Sequence, residues 1–182
     1  MSFRRLGEEP RYRGELVSLG AVSVEGPDGG RFEREVVHHP GAVCVVPVSD
    51  GGRVALCVRQ YRAAADRVLL EVPAGKRDVD GEPPEATAHR ELEEEVGMRA
   101  GRMVKLGEFY NSPGFCDEYS HLFLATDLSP GARSPQGAEE QHLELAEVEL
   151  SSVELLVAEG AIVDAKTIIG LCLARARLIA TG

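Results

Sequence analysis

Across its 182 residues the sequence has no apolar run approaching the roughly 20 residues that a membrane-crossing helix needs. Its start, "MSFRRLGEEPRYRGE", carries no apolar segment of the kind a secretory signal requires, so a soluble cytoplasmic protein is expected. Paired cysteines are also missing. Cys44, Cys57, Cys116 and Cys172 are scattered and form no CxxC pair, which speaks against a zinc or dithiol redox motif; buried thiols are expected instead. Nor is there an excess of positive charge: the formal net charge is -10, the wrong sign for gripping a nucleic-acid backbone. Histidines are too dispersed for a metal centre. His38 and His39 are adjacent in an extended run and point to opposite faces, while His89, His121 and His142 have no partner at ligand spacing, so none is assigned a role. Internal repeats and low-complexity tracts are absent too. An acidic chain stays compatible with small phosphorylated ligands, because a divalent cation held by carboxylates reverses the local field.

What is present is enough apolar sequence, 43%, for the core of one domain with a small appendage. Between Gly14 and His39 two extended runs, "ELVSLGAVSVEG" and "RFEREVVHH", flank the turn signal "PDGG" and predict a β-hairpin. Residues 1–40 are therefore expected to form an N-terminal antiparallel β appendage, with the main domain over 41–182. "AVCVVPV", "RVALCVRQYR" and "RVLLEV" follow as β-branched-rich strands, after which Gly75 marks a break. Pro83 and Pro84 can open a helix and Gly97 can close it. Later runs, "MVKLGEFY", "SHLFLATDL" and "LELAEVEL", read as strands, and the tail from Ser151 to Ala180 as two helices broken near Gly160.

The helix between the prolines and Gly97 sets the chemical question. Ala88, Leu92 and Val96 recur every four residues and give it an apolar stripe, while Glu91, Glu94 and Glu95 crowd an adjacent face. Each like-charge pair at such spacing costs a few tenths of a kcal/mol. A solvated acidic face would be the ordinary explanation, but a strand, a glycine and the further carboxylate of Glu82 stand just upstream. Converging hard oxygen ligands suit Mg²⁺, or Mn²⁺, and the ion would remove the repulsion.

Gly75, Glu82, Arg90, Glu91, Leu92, Glu94, Glu95, Gly97 and Met98 resemble the Nudix box, GX5EX7REUXEEXGU with U aliphatic. The match is complete from Glu82 to Met98, whereas six residues rather than five separate Gly75 from Glu82. The resemblance implies an α+β Nudix fold, a mixed β-sheet sandwiched between α-helices, and a hydrolase of nucleoside diphosphates linked to another group. It also implies metal ligands at Glu91 and Glu95, a share of a further ion at Glu94, a metal contact from the Ala74 carbonyl, and Arg90 orienting the glutamates.

Outside the box, Pro113 lies sixteen positions after Gly97, a placement similar to that in the ADP-ribose pyrophosphatase branch. "REVVHHPGAV", "QYR", "EVPAG" and "GEPPEATAHRELEEEVG" extend the likeness. For that branch the resemblance implies cleavage of ADP-ribose to AMP and ribose 5-phosphate by a homodimer. The N-terminal hairpin would be exchanged between subunits, carrying Arg34 to the partner's site. Arg62, a fixed cation near a strand end on the side of the glycine turn, is expected to meet a phosphate, and Phe115 and Glu118 the rest of the substrate. In this branch a glutamate of a later loop serves as base, which implies Glu140 ahead of its neighbour Glu139. Two alternatives stay open: a sibling acting on another nucleoside diphosphate sugar such as GDP-mannose, and a non-catalytic ADP-ribose-binding module.

Overall fold

Seven consecutive residues of Ala42–Ser49, from Ala42 to Val48, are buried, as expected of a strand covered on both faces. The computed structural model describes residues 2–134 and 140–180. In it Ala42–Ser49 is strand β4 of a seven-stranded sheet, and three strands before it, β1 (Arg4–Arg13), β2 (Ser18–Glu25) and β3 (Arg31–His38), form a separate sheet. The chain divides into two compact units, one comprising the residues up to Gly41 together with Phe109–Ser120, the other the remainder.

In the first unit β2 lies between β1 and β3, antiparallel to both. The predicted hairpin is β2–β3, closed by Gly26–Gly30, where Gly29 adopts φ 81° and the Gly30 N–H donates to Asp28 Oδ1 at 3.0 Å. Strand β1 has no counterpart in the sequence reading. It is exposed along its whole length, so no burial pattern marks it. Phe109–Ser120 joins this unit through an isolated parallel bridge between Val37 and Cys116, a long-range pairing that local sequence does not signal.

In the second unit the strand order is β10-β5-β4-β9-β8, with β6 paired to β5 and β7 to β4. These are β5 (Val54–Arg62), β6 (Arg67–Glu71), β7 (Ala74–Lys76), β8 (Met98–Tyr110), β9 (Tyr119–Pro130) and β10 (Glu144–Glu149). Alternate residues of β4 serve opposite layers. Val43 and Val45 pack with Ala88, Leu92 and Val96, the expected apolar stripe of helix α1 (Pro84–Glu91) and its continuation. Val46 meets Gly170 of α3 (Ala165–Ile179), where an added Cβ would lie 3.1 Å from Val46 Cγ2 and 3.3 Å from Leu122 Cδ1. The sheet thus lies between helices. Leu92 is completely buried, and truncating such a side chain typically costs about 2–5 kcal/mol.

Helix α2 (Val153–Ala158) and α3 are parted by Gly160, at φ 73°, as expected. Two expectations need correction. Of the four cysteines only Cys44 and Cys57 are buried; Cys116 is half-buried and Cys172 exposed on α3. Gly75 is no break either: it lies within β7, opposite Val43. No helix among the described residues is long and apolar enough to cross a membrane.

Candidate active site

The glutamate helix does not remain α-helical to its end. After α1, Leu92–Val96 forms a wide π-helical turn closed by Gly97, at φ 73°, whose N–H donates to the Glu93 carbonyl at 2.9 Å. Wide turns of this kind recur at functional sites. Glu91 and Glu95 are buried, while Glu93 points away to Arg99, at 2.6 Å.

Arg90 organises the carboxylates. Its Nη1 donates to Glu91 Oε1 at 2.7 Å and to Glu94 Oε2 at 3.1 Å, and its Nη2 to Glu82 Oε2 at 3.2 Å. Burial works to lower the guanidinium's pKa, but the Glu82 hydrogen bond and the charges of Glu91, Glu82 and Glu94 hold it above its ordinary value. The same bond, helped by the Thr87 hydroxyl at 2.8 Å, holds Glu82 below the usual carboxylate range. The additional residue between Gly75 and Glu82 is accommodated in a turn: Gly81 takes φ 75° and the Glu82 N–H returns to the Val79 carbonyl at 3.2 Å. Glu82 therefore still reaches Arg90.

Gly75 serves this arrangement by leaving room. An ideal Cβ on it would lie 1.9 Å from Glu91 Cδ, so the Glu91 carboxyl passes directly over its backbone. Next to it, the Ala74 N–H donates to Glu95 Oε2 at 3.1 Å. Desolvation raises Glu91 to about 7 against the opposing charge of Arg90, with Glu94 and Glu140 adding repulsion. Desolvation and the charge of Glu91 raise Glu95 to about 8, with the Ala74 N–H acting against them.

The expected convergence of Glu91, Glu94 and Glu95 is only partial. Glu91 and Glu94 are drawn to Arg90 and Glu95 to Ala74, and among the described residues no three acidic, histidine or cysteine side chains close on one point. Glu91 and Glu94 share one donor, Arg90 Nη1, and Glu95 lies apart from them on the Ala74 N–H. The donor set nevertheless fits a hard divalent cation: its members are carboxylate oxygens, two of them buried and disfavoured as anions where they lie.

Arg62, read from sequence as a phosphate-binding cation, has its guanidinium on the buried Glu71, with Nε to Oε1 at 2.9 Å and Nη2 to Oε2 at 2.7 Å. Lys166 of α3 meets the same Oε2 and also Asp164 Oδ1, at 2.9 Å. The Glu71–Lys166 contact carried no sequence signal, because the two residues are 95 positions apart in the chain.

Arg133 was missed as well. Its Nε donates to the Glu95 carbonyl at 2.9 Å and its Nη2 to the Leu143 carbonyl at 2.6 Å, while the Ser134 N–H donates to the Glu94 carbonyl at 3.1 Å. These contacts pin both flanks of the loop expected to hold the base against the glutamate helix. Glu140 opens a short 3₁₀ turn, Glu140–His142, and its charge is felt at Glu91 and Glu95. Glu139 lies outside the described residues.

Arg34, Phe115 and Glu118 belong to the first unit. Arg34 is exposed on β3, its guanidinium 4.6 Å from the Phe32 ring centre. Phe115 is exposed at the loop tip, its carbonyl accepting from the Val37 N–H at 2.8 Å, and Glu118 approaches His39 Nδ1 at 3.9 Å. His38, assigned no role from sequence, places Nδ1 2.5 Å from Asp117 Oδ2 and Nε2 2.7 Å from Glu8 Oε1.

Comparison with known proteins agrees with this geometry. A model of the NUDIX domain matches residues 37–169, and the chain belongs to the Nudix family. That family generally works with divalent metal ions. The chain is similar to an ADP-ribose pyrophosphatase of Bacillus subtilis, 42% identical over 90% of this chain and 88% of that protein. It is similar too to an ADP-ribose pyrophosphatase of Mycobacterium tuberculosis, 38% identical over 92% and 81%. A methanol dehydrogenase activator of Bacillus methanolicus is 38% identical over 88% and 86%. The crystal structure of an ADP compounds hydrolase superposes with a TM-score of 0.86 at 24% identity, covering 100% of this chain and 97% of that one, and so shares the fold.

Proposed function

We propose that this chain hydrolyses the diphosphate of ADP-ribose to AMP and ribose 5-phosphate with Mg²⁺, as a cytoplasmic homodimer. The observation that carries the reading is the Arg90-centred carboxylate set beside Ala74, in a chain 42% identical to an ADP-ribose pyrophosphatase.

Glu91 and Glu95, with Glu94 and the Ala74 carbonyl, would hold the metal. Bound there, the ion supplies charge neutralisation at the diphosphate and a more acidic water. The protein's own contribution begins with Arg90, whose bonds fix the carboxylates before substrate arrives. Arg62 offers positive charge to a phosphate. Glu140 takes the proton from the attacking water, which needs its loop to present the carboxylate on substrate binding. Phe115 packs against the substrate, Glu118 accepts hydrogen bonds from its hydroxyls, and Arg34 acts in the partner's site through an exchanged hairpin. The exposed edge strand β1, with Leu6 38% and Tyr12 61% accessible, favours association of this unit with another copy.

A phosphatase-coupled assay with Mg²⁺ over ADP-ribose, GDP-mannose and other nucleotide sugars tests the reading. ADP-ribose should give the highest kcat/KM. Preference for another sugar would reassign the substrate, and ADP-ribose binding without turnover of any sugar would leave a binding module.

A further inference from the structure

Among the described residues, Glu71 is the buried carboxylate that collects two cations from distant parts of the chain. Its side chain is 1% exposed, Lys166 is 15% exposed, Asp164 16% and Arg62 38%, so the group opens toward solvent at Arg62. Arg62 and Lys166 meet on the same oxygen, Oε2. Burial works to raise the Glu71 pKa, but the Arg62 hydrogen bonds and the Lys166 charge hold it below the ordinary value.

Asp164 belongs to the group as well, its Oδ1 accepting from Lys166 Nζ at 2.9 Å. Its Oδ2 caps α3, accepting from the Thr167 N–H at 2.9 Å and the Thr167 hydroxyl at 2.5 Å, and the same hydroxyl oxygen accepts from the Val72 N–H at 2.9 Å. Two carboxylates and two cations thus balance. Without Lys166 the group would carry an excess negative charge, and Arg62 would face solvent as half of a neutral pair. A diphosphate is repelled by the first condition and weakly attracted by the second.

We propose that Lys166 is a positioning residue for substrate binding: by sharing the Glu71 carboxylate, it leaves Arg62 with positive charge to offer the diphosphate. The inference rests on the reading of Arg62 as a phosphate-facing group. Lys166 itself touches no substrate. It acts through Glu71, and α3 is anchored by its cap and by Thr167 so that the ammonium stays in place.

The test uses the full chain with Mg²⁺ and the best nucleotide sugar of the panel, recording KM, kcat and Tm for Lys166→Met, Lys166→Arg, Arg62→Ala and the double variant Glu71→Gln/Lys166→Met. Lys166→Met should raise KM about tenfold with kcat changed less than about threefold, as expected for lost charge attraction in ground and transition state alike. Lys166→Arg should recover most of the affinity. The double variant removes one charge of each sign, so it should restore KM toward the wild-type value, an outcome that a merely structural role for Lys166 would not give. It also keeps the test open should Lys166→Met fail to fold. A double variant with KM as high as Lys166→Met, or a folded Lys166→Met with unchanged KM, overturns the inference. If Arg62→Ala leaves KM unchanged, the phosphate reading of Arg62 has failed and the inference falls with it; if Arg62→Ala raises KM and Lys166→Met does not, only the role of Lys166 is lost.

Discussion

The Glu91 carboxyl occupies the space where a side chain on Gly75 would begin, 1.9 Å from an ideal Cβ to Glu91 Cδ. Gly75 lies in β7 without a left-handed φ, so the glycine is required for proximity rather than for a turn. The atom that must move in Gly75→Ala is the far end of a flexible side chain, and a fold can absorb that cheaply. Function cannot, because Glu91 leaves its place beside Arg90. Gly75→Ala should lose about 10²-fold or more in kcat, the scale of an ångström-sized misplacement, while Tm shifts by only a few degrees. A fully active Gly75→Ala protein would show that the Glu91 position is not needed for turnover.

Glu91 and Glu95 give the metal-free protein a pH dependence of definite sign. Their folded pKa values, about 7 and about 8, lie above the ordinary carboxylate value, so the folded state binds their protons more tightly than the unfolded chain does. This contribution to stability is fully present below the unfolded pKa and is lost as pH rises through 7 and 8. Tm of the chelator-treated wild type should therefore fall relative to Glu95→Gln between pH 5 and 9, and Mg²⁺ should narrow the gap for the wild type alone. Parallel Tm curves for the two proteins would contradict this account. Glu95→Gln should also be inactive at saturating substrate.

The assignment of the base can be tested at two adjacent positions. Glu140→Gln should lower kcat by about 10² or more, typical of losing a general base, with nucleotide and metal still bound in calorimetry. Glu139→Gln should be nearly silent. The opposite pattern would move the role to Glu139, and two silent substitutions would direct attention to Glu94.

His38 joins β3 to β1 through Glu8 and to the 111–118 loop through Asp117. An imidazole facing carboxylates with both nitrogens is best satisfied as the cation, and the hydrogen bonds to Asp117, then Glu8, raise its pKa above 6.5. Its stabilising effect is complete below the unfolded pKa and lost as pH rises through the higher folded value. Asp117, held low by His38 and the His39 N–H against its own burial, sets the acidic limit. Hydrogen exchange of the 111–118 loop should thus be slower in the wild type than in His38→Gln at pH 6, with the difference closing at alkaline pH. Equal protection in both proteins at pH 6 would rule out the clasp.

The sequence alone determined the glutamate helix, its apolar stripe and its stop at Gly97, because those signals are local and repeat with the helical period. It also determined β4 as a strand, from its β-branched apolar run, and the two-helix tail around Gly160, whereas the burial of both faces of β4 came only with the fold. The family followed from the box, since its spacing encodes which residues share a helix. Tertiary structure alone decided the rest. Strand β1 is exposed throughout and leaves no pattern; Gly75 is explained only by a side chain sixteen residues away; Glu71 and Lys166 meet across a separation of 95 residues. Period and propensity report how a segment relates to its neighbours in the chain, whereas ion pairs and close approaches depend on which segments the sheet order brings together.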